Sequence, residues 1–119
     1  MKILITGAAG FIGFNLSNFL LKISNHKIIG IDNLNDYYSV TLKKKRLAVI
    51  KKSKKFIFLK TDINNKKNVE EVFKKYKFDI VFNLAAQAGV RYSIDNPTAF
   101  VENNILGFYN ILDASIKYK

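Results

Sequence analysis

The feature that most constrains the fold is a glycine turn that directly follows a short apolar run near the start of the chain. Residues 3–6 are Ile-Leu-Ile-Thr, and Gly7, Gly10 and Gly13 follow at three-residue intervals. A short apolar and β-branched run is typical of a strand buried on both faces of a parallel sheet. Residues 14–23 have helical spacing, so the chain is predicted to pass from a strand through a tight turn into a helix.

This strand, turn and helix predict a phosphate site, because a helix N-terminus presents free backbone N–H groups and the positive end of its dipole. Gly7 allows the tight turn, Gly10 lets the backbone approach a pyrophosphate, and Gly13 lets the helix pack closely on the strand. Asp32 ends the next apolar run, 19 residues after Gly13, where an acceptor for ribose hydroxyls is expected. The alternative is a structural glycine turn with Asp32 as a turn-starting aspartate.

The rest of the chain alternates apolar runs with amphipathic segments. Strands are predicted at 3–6, 27–31, 56–59 and 78–82. Helices are predicted at 14–23, at 40–52, from about 66 to 76, and from 97 to the end, with 87–96 as a polar loop or short helix. This alternation predicts an α/β fold, a Rossmann-type doubly wound parallel sheet of strand order 3-2-1-4. The sheet is expected to be truncated before a fifth strand, which would leave the fourth strand as an apolar edge.

Length and composition predict one domain, residues 1–119, with enough apolar material for a packed interior, since 49% of the residues are hydrophobic. There is no cysteine and only one histidine, so disulfides and thiolate metal ligands are excluded and metal chemistry has little support. No apolar run has the length of a signal-peptide core or a membrane span. We therefore expect no membrane partner and a cytoplasmic protein.

The net charge of +11 raises the question of a nucleic-acid partner. Most of the lysines lie in residues 43–55 and 66–77, between apolar positions of predicted helices and turns, and no array of exposed aromatic residues accompanies them. This pattern favours a solvated lysine-rich surface, and nucleic-acid binding stays an alternative.

Two further segments follow predicted strands at the carboxyl edge of the sheet, where open α/β sheets bind ligands. Asn83-Leu84-Ala85-Ala86 has small side chains that would let a cofactor pass close to the backbone, although ordinary close packing explains them as well. Asp62 could accept a hydrogen bond from an adenine amino group, with Ile63 covering the ring. Alternatively, Asp62 or Asn64 caps the helix that begins near residue 66.

Several segments together resemble the extended short-chain dehydrogenase/reductase family, and within it the nucleotide-sugar epimerases, in particular the UDP-glucuronate 4-epimerases. The most selective are Asp-Asn-Leu-Asn-Asp-Tyr-Tyr at 32–38 and Ala-Ala-Gln-Ala-Gly-Val-Arg-Tyr-Ser at 85–93. Thr-Gly-Ala-Ala-Gly-Phe-Ile-Gly at 6–13, Asp-Ile at 62–63, Asn-Pro at 96–97 and Asn-Asn-Ile-Leu-Gly at 103–107 accompany them. The resemblance covers essentially the whole chain.

The resemblance implies an NAD site. The pyrophosphate would be held by Gly7, Gly10, Phe11, Ile12 and Gly13. The adenosine ribose and adenine would be held by Asp32, Asn33, Asp62 and Ile63. The nicotinamide half would be lined by Leu84, Ala85, Ala86 and Gln87, with Asn104 bracing the active site. Arg91 would contact a carboxylate or phosphate of a UDP-sugar substrate, and an acid at position 32 favours NAD over NADP because a carboxylate repels a 2′-phosphate.

Proton transfer in this family falls to a Ser or Thr and a Tyr-x-x-x-Lys set, in which the tyrosine takes the sugar hydroxyl proton. Tyr92 and Tyr118 have no lysine four residues later, and Tyr76 is followed there by Ile80. We therefore expect no catalytic residue in this chain and a missing C-terminal catalytic and sugar-binding part.

The resemblance thus predicts the NAD-binding N-terminal portion of an epimerase that interconverts UDP-glucuronate and UDP-galacturonate when complete. The complete enzyme could be a homo-oligomer. Two alternatives stay open: the N-terminal portion of a nucleotide-sugar 4,6-dehydratase, and a non-catalytic nucleotide-binding module that completes another chain.

Overall fold

A computed structural model describes all residues, 1–119, and places four strands in one parallel sheet. The strands are β1 (Lys2–Thr6), β2 (Lys27–Asp32), β3 (Phe56–Lys60) and β4 (Ile80–Asn83). Their order is β3-β2-β1-β4, which confirms the predicted order, and β4 pairs only with β1. The central strand β1 is buried on both faces, as its apolar run predicts, since Leu4 and Ile5 are both 0% exposed.

The helices cover both faces of this sheet. They are α1 (Phe11–Ile23), α2 (Val40–Ile50), α3 (Lys66–Tyr76), α4 (Val90–Asp95), α5 (Pro97–Val101) and α6 (Phe108–Lys117), with a π-helical segment (Glu102–Gly107) between the last two. Alternate residues of β1 enter different cores: Ile3 and Ile5 pack with residues of α1 and α2, and Leu4 packs with residues of α3 and α6. The predicted doubly wound α/β fold is therefore confirmed.

The parallel registers bring the carboxyl ends of the strands to one edge of the sheet. Thr6 at the end of β1 lies opposite Ile31 of β2 and Asn83 of β4. Asp32, the last residue of β2, lies opposite Lys60 of β3. The glycine turn and the segments that follow β2, β3 and β4 all leave the sheet along this edge.

The buried face of α1 differs from the apolar face that its sequence indicates. Phe11, Ile12, Phe19 and Ile23 are each more than half exposed. The buried residues are Gly13, Ser17 and Leu21. The reason is the close approach of the helix to the turn, since a Cβ at Gly13 would collide with the Gly7 carbonyl oxygen and larger side chains would hold the helix away.

The predicted capping of α3 by Asp62 or Asn64 is wrong. Asn65 is the N-cap, and its side chain accepts a hydrogen bond from the backbone N–H of Asn68 at 3.1 Å. Asp62 instead accepts from the backbone N–H of Asn64 at 2.8 Å, so it shapes the turn before the helix.

The long helix predicted from residue 97 is interrupted by the π-helical segment. Gly107 is buried there, and a Cβ at this position would lie 2.5 Å from Cδ1 of Ile63. Asn110 in α6 donates from Nδ2 to the Ile63 carbonyl at 2.9 Å. These two contacts hold the segment against the residues after β3, and π-helical turns often occur at functional sites. No helix in the structure combines the length and apolar character that crossing a bilayer requires.

Candidate functional site

A cleft at the carboxyl edge of the sheet consists of two adjoining cavities. The inner cavity, of about 240 Å³, lies between the end of β2, the segment after β4 and the π-helical segment. The turn cavity, of about 310 Å³, lies over the glycine turn and the start of α1. The two cavities share Gly7, Gly10, Tyr38 and Leu84, so they form one continuous cleft.

Most of the residues predicted for a cofactor line this cleft. Those that line the inner cavity are Gly7, Gly10, Asp32, Asn33, Ile63, Leu84, Ala85, Ala86 and Gln87. The turn cavity adds Phe11, Ile12 and Gly13. Asp62, Arg91 and Asn104 line neither cavity.

The glycine turn is built so tightly that side chains are excluded at two positions. Gly7 has φ +65°, and a Cβ there would lie 2.9 Å from the backbone nitrogen of Ala85. A Cβ at Gly13 would collide with the Gly7 carbonyl oxygen. Gly7 therefore packs against the residues after β4, and the turn brings the start of α1, with its unpaired backbone N–H groups, directly against the residues after β1.

Asp32 organises the turn as well as lining the inner cavity. Its Oδ2 accepts a hydrogen bond from the backbone N–H of Ala9 at 3.1 Å, and its Oδ1 accepts from the backbone N–H of Leu34 at 2.8 Å. An ionised carboxylate has about four acceptor positions, so Asp32 keeps room for further donors. The two interpretations of Asp32, turn residue and ribose acceptor, are thus compatible.

Thr6 fixes the segment after β4, a role that the sequence analysis missed. Its hydroxyl donates to Oδ1 of Asn83 at 2.6 Å and accepts from the backbone N–H groups of Leu84 and Ala85, both at 2.9 Å. Thr6 is 0% exposed. A polar residue at the end of an otherwise apolar buried strand is the signal that would have indicated it.

The residues predicted for the adenosine half meet at the ends of β2 and β3. Asn33 donates from Nδ2 to Oδ2 of Asp62 at 3.3 Å. Ile63 is 5% exposed and forms an apolar part of the inner cavity wall. Asp62 therefore holds the Asn33 side chain in place without lining the inner cavity itself.

Asn104 acts on the backbone at the other end of the inner cavity. Its Oδ1 accepts from the backbone N–H of Gln87 at 2.8 Å, and its Nδ2 donates to the Gln87 carbonyl at 3.0 Å. This reciprocal pair ties the π-helical segment to the residues after β4. Arg91 lies on α4 with an exposed side chain, away from the cavity walls.

Two cations of α2 enter the cleft, so the expected solvated lysine face is wrong at these positions. Lys43 is 4% exposed, and its Nζ donates to the backbone carbonyl and to Oδ1 of Asn35 at 2.8 and 2.7 Å. Burial lowers the pKa of Lys43 below its ordinary value, although the Asp32 carboxylate acts in the opposite direction. Arg46 is partly buried and lines the turn cavity. The spacing of these residues with Leu47 and Ile50 on one helix face is the signal that would have indicated them.

The chemistry of the cleft suits a ligand that combines phosphate with polar and apolar parts. The backbone N–H groups at the start of α1 and the Arg46 guanidinium face the turn cavity, and Lys43 lines the inner cavity. In the inner cavity, Asp32 and Asn33 provide hydrogen-bond acceptors and donors, and Ile63 provides an apolar wall.

The fold and the cleft together define the class of the protein: a Rossmann-type α/β fold with a Gly-x-x-Gly-x-x-Gly turn at the carboxyl edge of its sheet. The chain belongs to the GDP-mannose 4,6 dehydratase family, whose family model matches residues 4–119.

Comparison with known proteins confirms the resemblance that the motifs predict. Protein CapI of Staphylococcus aureus is 52% identical over 115 residues, which are 97% of this chain and 34% of CapI. A UDP-glucuronate 4-epimerase of Thermodesulfobacterium geofontis is 47% identical over 110 residues, which are 92% of this chain and 34% of that enzyme. The chain thus spans about a third of the length of these curated relatives.

A solved structure extends this comparison to three dimensions. The UDP-glucuronic acid 4-epimerase of Bacillus cereus, crystallised with UDP-glucuronic acid and NAD, matches with a TM-score of 0.90 and 37% identity. The match covers 100% of this chain and 37% of that chain.

Proposed function

We propose that this chain is the NAD-binding portion of a nucleotide-sugar 4-epimerase, and that the complete enzyme interconverts UDP-glucuronate and UDP-galacturonate. The observation that carries the proposal is the position of Asp32 directly beside the glycine turn, at the edge of the sheet where Rossmann-type folds bind dinucleotides. The similarity to a UDP-glucuronate 4-epimerase and to a structure that contains NAD supports it.

The residues of the cleft fit NAD. Gly10 lines both cavities and has no Cβ, so the backbone of the turn is free to approach a diphosphate. In this proposal the backbone of Gly7, Gly10, Phe11, Ile12 and Gly13 holds the diphosphate. Asp32 and Asn33 hold the adenosine ribose, and Asp62 and Ile63 flank the adenine. The nicotinamide half is lined by Leu84, Ala85, Ala86 and Gln87. NAD supplies a reversible hydride acceptor when it is bound.

In this proposal the residues of this chain position the cofactor and the substrate and take no part in proton transfer. Asn104 fixes the backbone of Gln87 and thereby the wall of the nicotinamide half. Arg91, exposed on α4, would contact the carboxylate or phosphate of the UDP-sugar. No tyrosine of the 119 residues is followed by a lysine four positions later, so we propose that the proton-transfer groups come from outside this sequence and that the chain is not catalytic alone.

We further propose that residues 1–119 form one NAD-binding domain, incomplete on the side of β4, and that it acts in the cytoplasm. The UDP-sugar is the partner of the complete enzyme in this proposal. Homo-oligomer formation and the absence of nucleic-acid binding stay predictions.

Calorimetric titration of the 119-residue chain with NAD tests the proposal. We expect saturable binding, loss of that binding in the Asp32→Ala variant, and weaker binding of NADP because the Asp32 carboxylate repels a 2′-phosphate. We expect no epimerase turnover from the chain. Failure of both NAD and NADP to bind a chain whose circular dichroism and cooperative melting indicate a folded state would contradict the proposal.

The name of the matched family favours one second candidate, a 4,6-dehydratase. Assay of an enzyme that contains this portion distinguishes the two: an epimerase interconverts the two uronic acid forms, whereas a dehydratase releases water from a nucleotide sugar whose hexose carries no carboxylate.

A further inference from the structure

Two cations of α2 lie close to one aromatic ring in the cleft. Lys43 and Arg46 are three residues apart and therefore share a helix face. The Tyr38 ring centroid lies 4.3 Å from Nζ of Lys43 and 5.8 Å from Cζ of Arg46. Tyr38 lines both cavities, so these two cations are held where the cavities meet.

The guanidinium of Arg46 has hydrogen-bonding capacity that the protein does not use. Its Nη1 donates to the Ala9 carbonyl at 3.2 Å and to the Tyr38 hydroxyl at 3.0 Å. A guanidinium carries five N–H donors, and those on Nε and Nη2 make no hydrogen bond to the protein. The two ion pairs of the structure are Lys66–Asp113 and Lys117–Glu70, so Arg46 has no carboxylate partner.

The charges around this position favour an anion. Lys43 is buried near Arg46, and the repulsion between two cations is poorly screened in a partly buried site. Asp32 is the acidic residue that lines the inner cavity, and its two oxygens already accept hydrogen bonds from the backbone of Ala9 and Leu34. A bidentate group such as a phosphate would satisfy the free donors of Arg46 and offset this positive charge.

We propose that Arg46 recognises a phosphate group of the dinucleotide, and that the Tyr38 hydroxyl and the Ala9 carbonyl hold its guanidinium over the turn cavity. This inference rests on the proposed function and adds a side-chain anion contact to the backbone N–H groups of the glycine turn. The phosphate is one of the diphosphate, which NAD and NADP share. Ala9, whose carbonyl accepts from Arg46, lies between Gly7 and Gly10, so the guanidinium stands beside the proposed diphosphate site.

Calorimetric titration at fixed ionic strength tests the inference with NAD, NADP and adenosine, which has no phosphate. The variants are Arg46→Gln, Arg46→Lys and, as a matched control, Lys45→Gln at an exposed position of the same helix. Loss of a charged hydrogen-bonding partner predicts that Arg46→Gln weakens NAD binding by about 10- to 100-fold and leaves adenosine binding unchanged. Arg46→Lys is expected between Arg46→Gln and the parent, and Lys45→Gln is expected to match the parent. Weakening of NADP alone would overturn the inference, because the contact would then be to the 2′-phosphate and not to the shared diphosphate.

Equal NAD affinity of the parent and a folded Arg46→Gln variant would overturn the inference while leaving the proposed function intact. An equal loss for NAD and adenosine would also overturn it, because the effect would then be structural. If Arg46→Gln does not fold, the comparison rests on Arg46→Lys, which keeps one charge but loses the bidentate geometry. An unsubstituted chain that binds no dinucleotide would instead refute the proposed function, and the inference with it.

Discussion

Asp32 and Ala9 join the carboxyl end of β2 to the glycine turn, through a hydrogen bond of 3.1 Å from the backbone N–H of Ala9 to Oδ2 of Asp32. The other oxygen of the same carboxylate accepts from the backbone N–H of Leu34 at 2.8 Å, and Leu34 has a positive φ of 54°. One side chain therefore sets the shape of the turn and of the loop after β2, while it also lines the inner cavity.

Substitution of Asp32 should consequently affect stability and cofactor binding together. We expect Asp32→Ala to lower the free energy of unfolding by about 1.5–3 kcal/mol, because two hydrogen bonds to a charged acceptor are lost. Asp32→Asn keeps one acceptor oxygen and should cost less. Urea denaturation measures both variants, and an Asp32→Ala variant as stable as the parent would contradict the structural role.

Substitution by alanine should have different effects on stability and NAD binding at Gly13 and at Gly10. A Cβ at Gly13 collides with the Gly7 carbonyl oxygen, so Gly13→Ala should lower the free energy of unfolding by about 1–3 kcal/mol through overpacking. A Cβ at Gly10 would lie 3.1 Å from the same oxygen and would intrude into both cavities. Gly10→Ala should therefore lower the free energy of unfolding less than Gly13→Ala does in a urea titration, and it should weaken NAD binding in calorimetry. The reverse order of the two stability effects would refute this geometry.

Thr6 should be a stability residue although it lies at the cleft edge. Thr6→Val keeps the shape of the side chain and removes its three hydrogen bonds, leaving the Leu84 and Ala85 N–H groups unpaired. We expect a loss of about 1–3 kcal/mol in the free energy of unfolding. The matched control is Thr41→Val at an exposed position of α2, where we expect a change within about 0.5 kcal/mol. Equal effects of the two substitutions would contradict the role of Thr6.

The acid sensitivity of the fold should depend in part on Glu70. The hydrogen bond from Lys117 at 3.1 Å, assisted by that from the Tyr118 hydroxyl, lowers the pKa of Glu70 below its ordinary value of 4.5. A lowered pKa in the folded state means that this contribution is present above pH 4.5 and is lost as the pH falls through the folded value. Glu70→Gln should thus lower Tm at pH 7 and lessen its fall toward pH 3, whereas Glu71→Gln, at an exposed neighbouring position, should follow the parent. A Glu70→Gln variant with the pH profile of the parent would show that the pair contributes nothing.

The strand order and the glycine turn could be predicted because their signals are local. The apolar run 3–6 predicts a strand at the centre of a sheet, and the spacing of Gly7, Gly10 and Gly13 predicts the turn that follows it. The regular alternation of strands and helices then leaves few topologies, and the observed order is the predicted one.

The packing of α1 and the cations of α2 could not be predicted in this way, because they depend on distant residues. Gly13 and Ser17 give no hydrophobic signal, yet they form the buried face of α1 since the turn draws the helix close. Lysine is usually found at the protein surface, and the burial of Lys43 depends on hydrogen bonds to the carbonyl and the side chain of Asn35 in a preceding loop. Such contacts form only in the folded chain, so a local sequence pattern gives only a weak signal of them.

A crystal structure of this chain with NAD tests most directly whether the glycine turn and Asp32 bind the dinucleotide. We expect density for the diphosphate over the backbone of residues 10–13 and the adenosine ribose hydroxyls within hydrogen-bonding distance of Asp32. Density for NAD at another part of the surface, or a ribose on the side of the cleft away from Asp32, would contradict it.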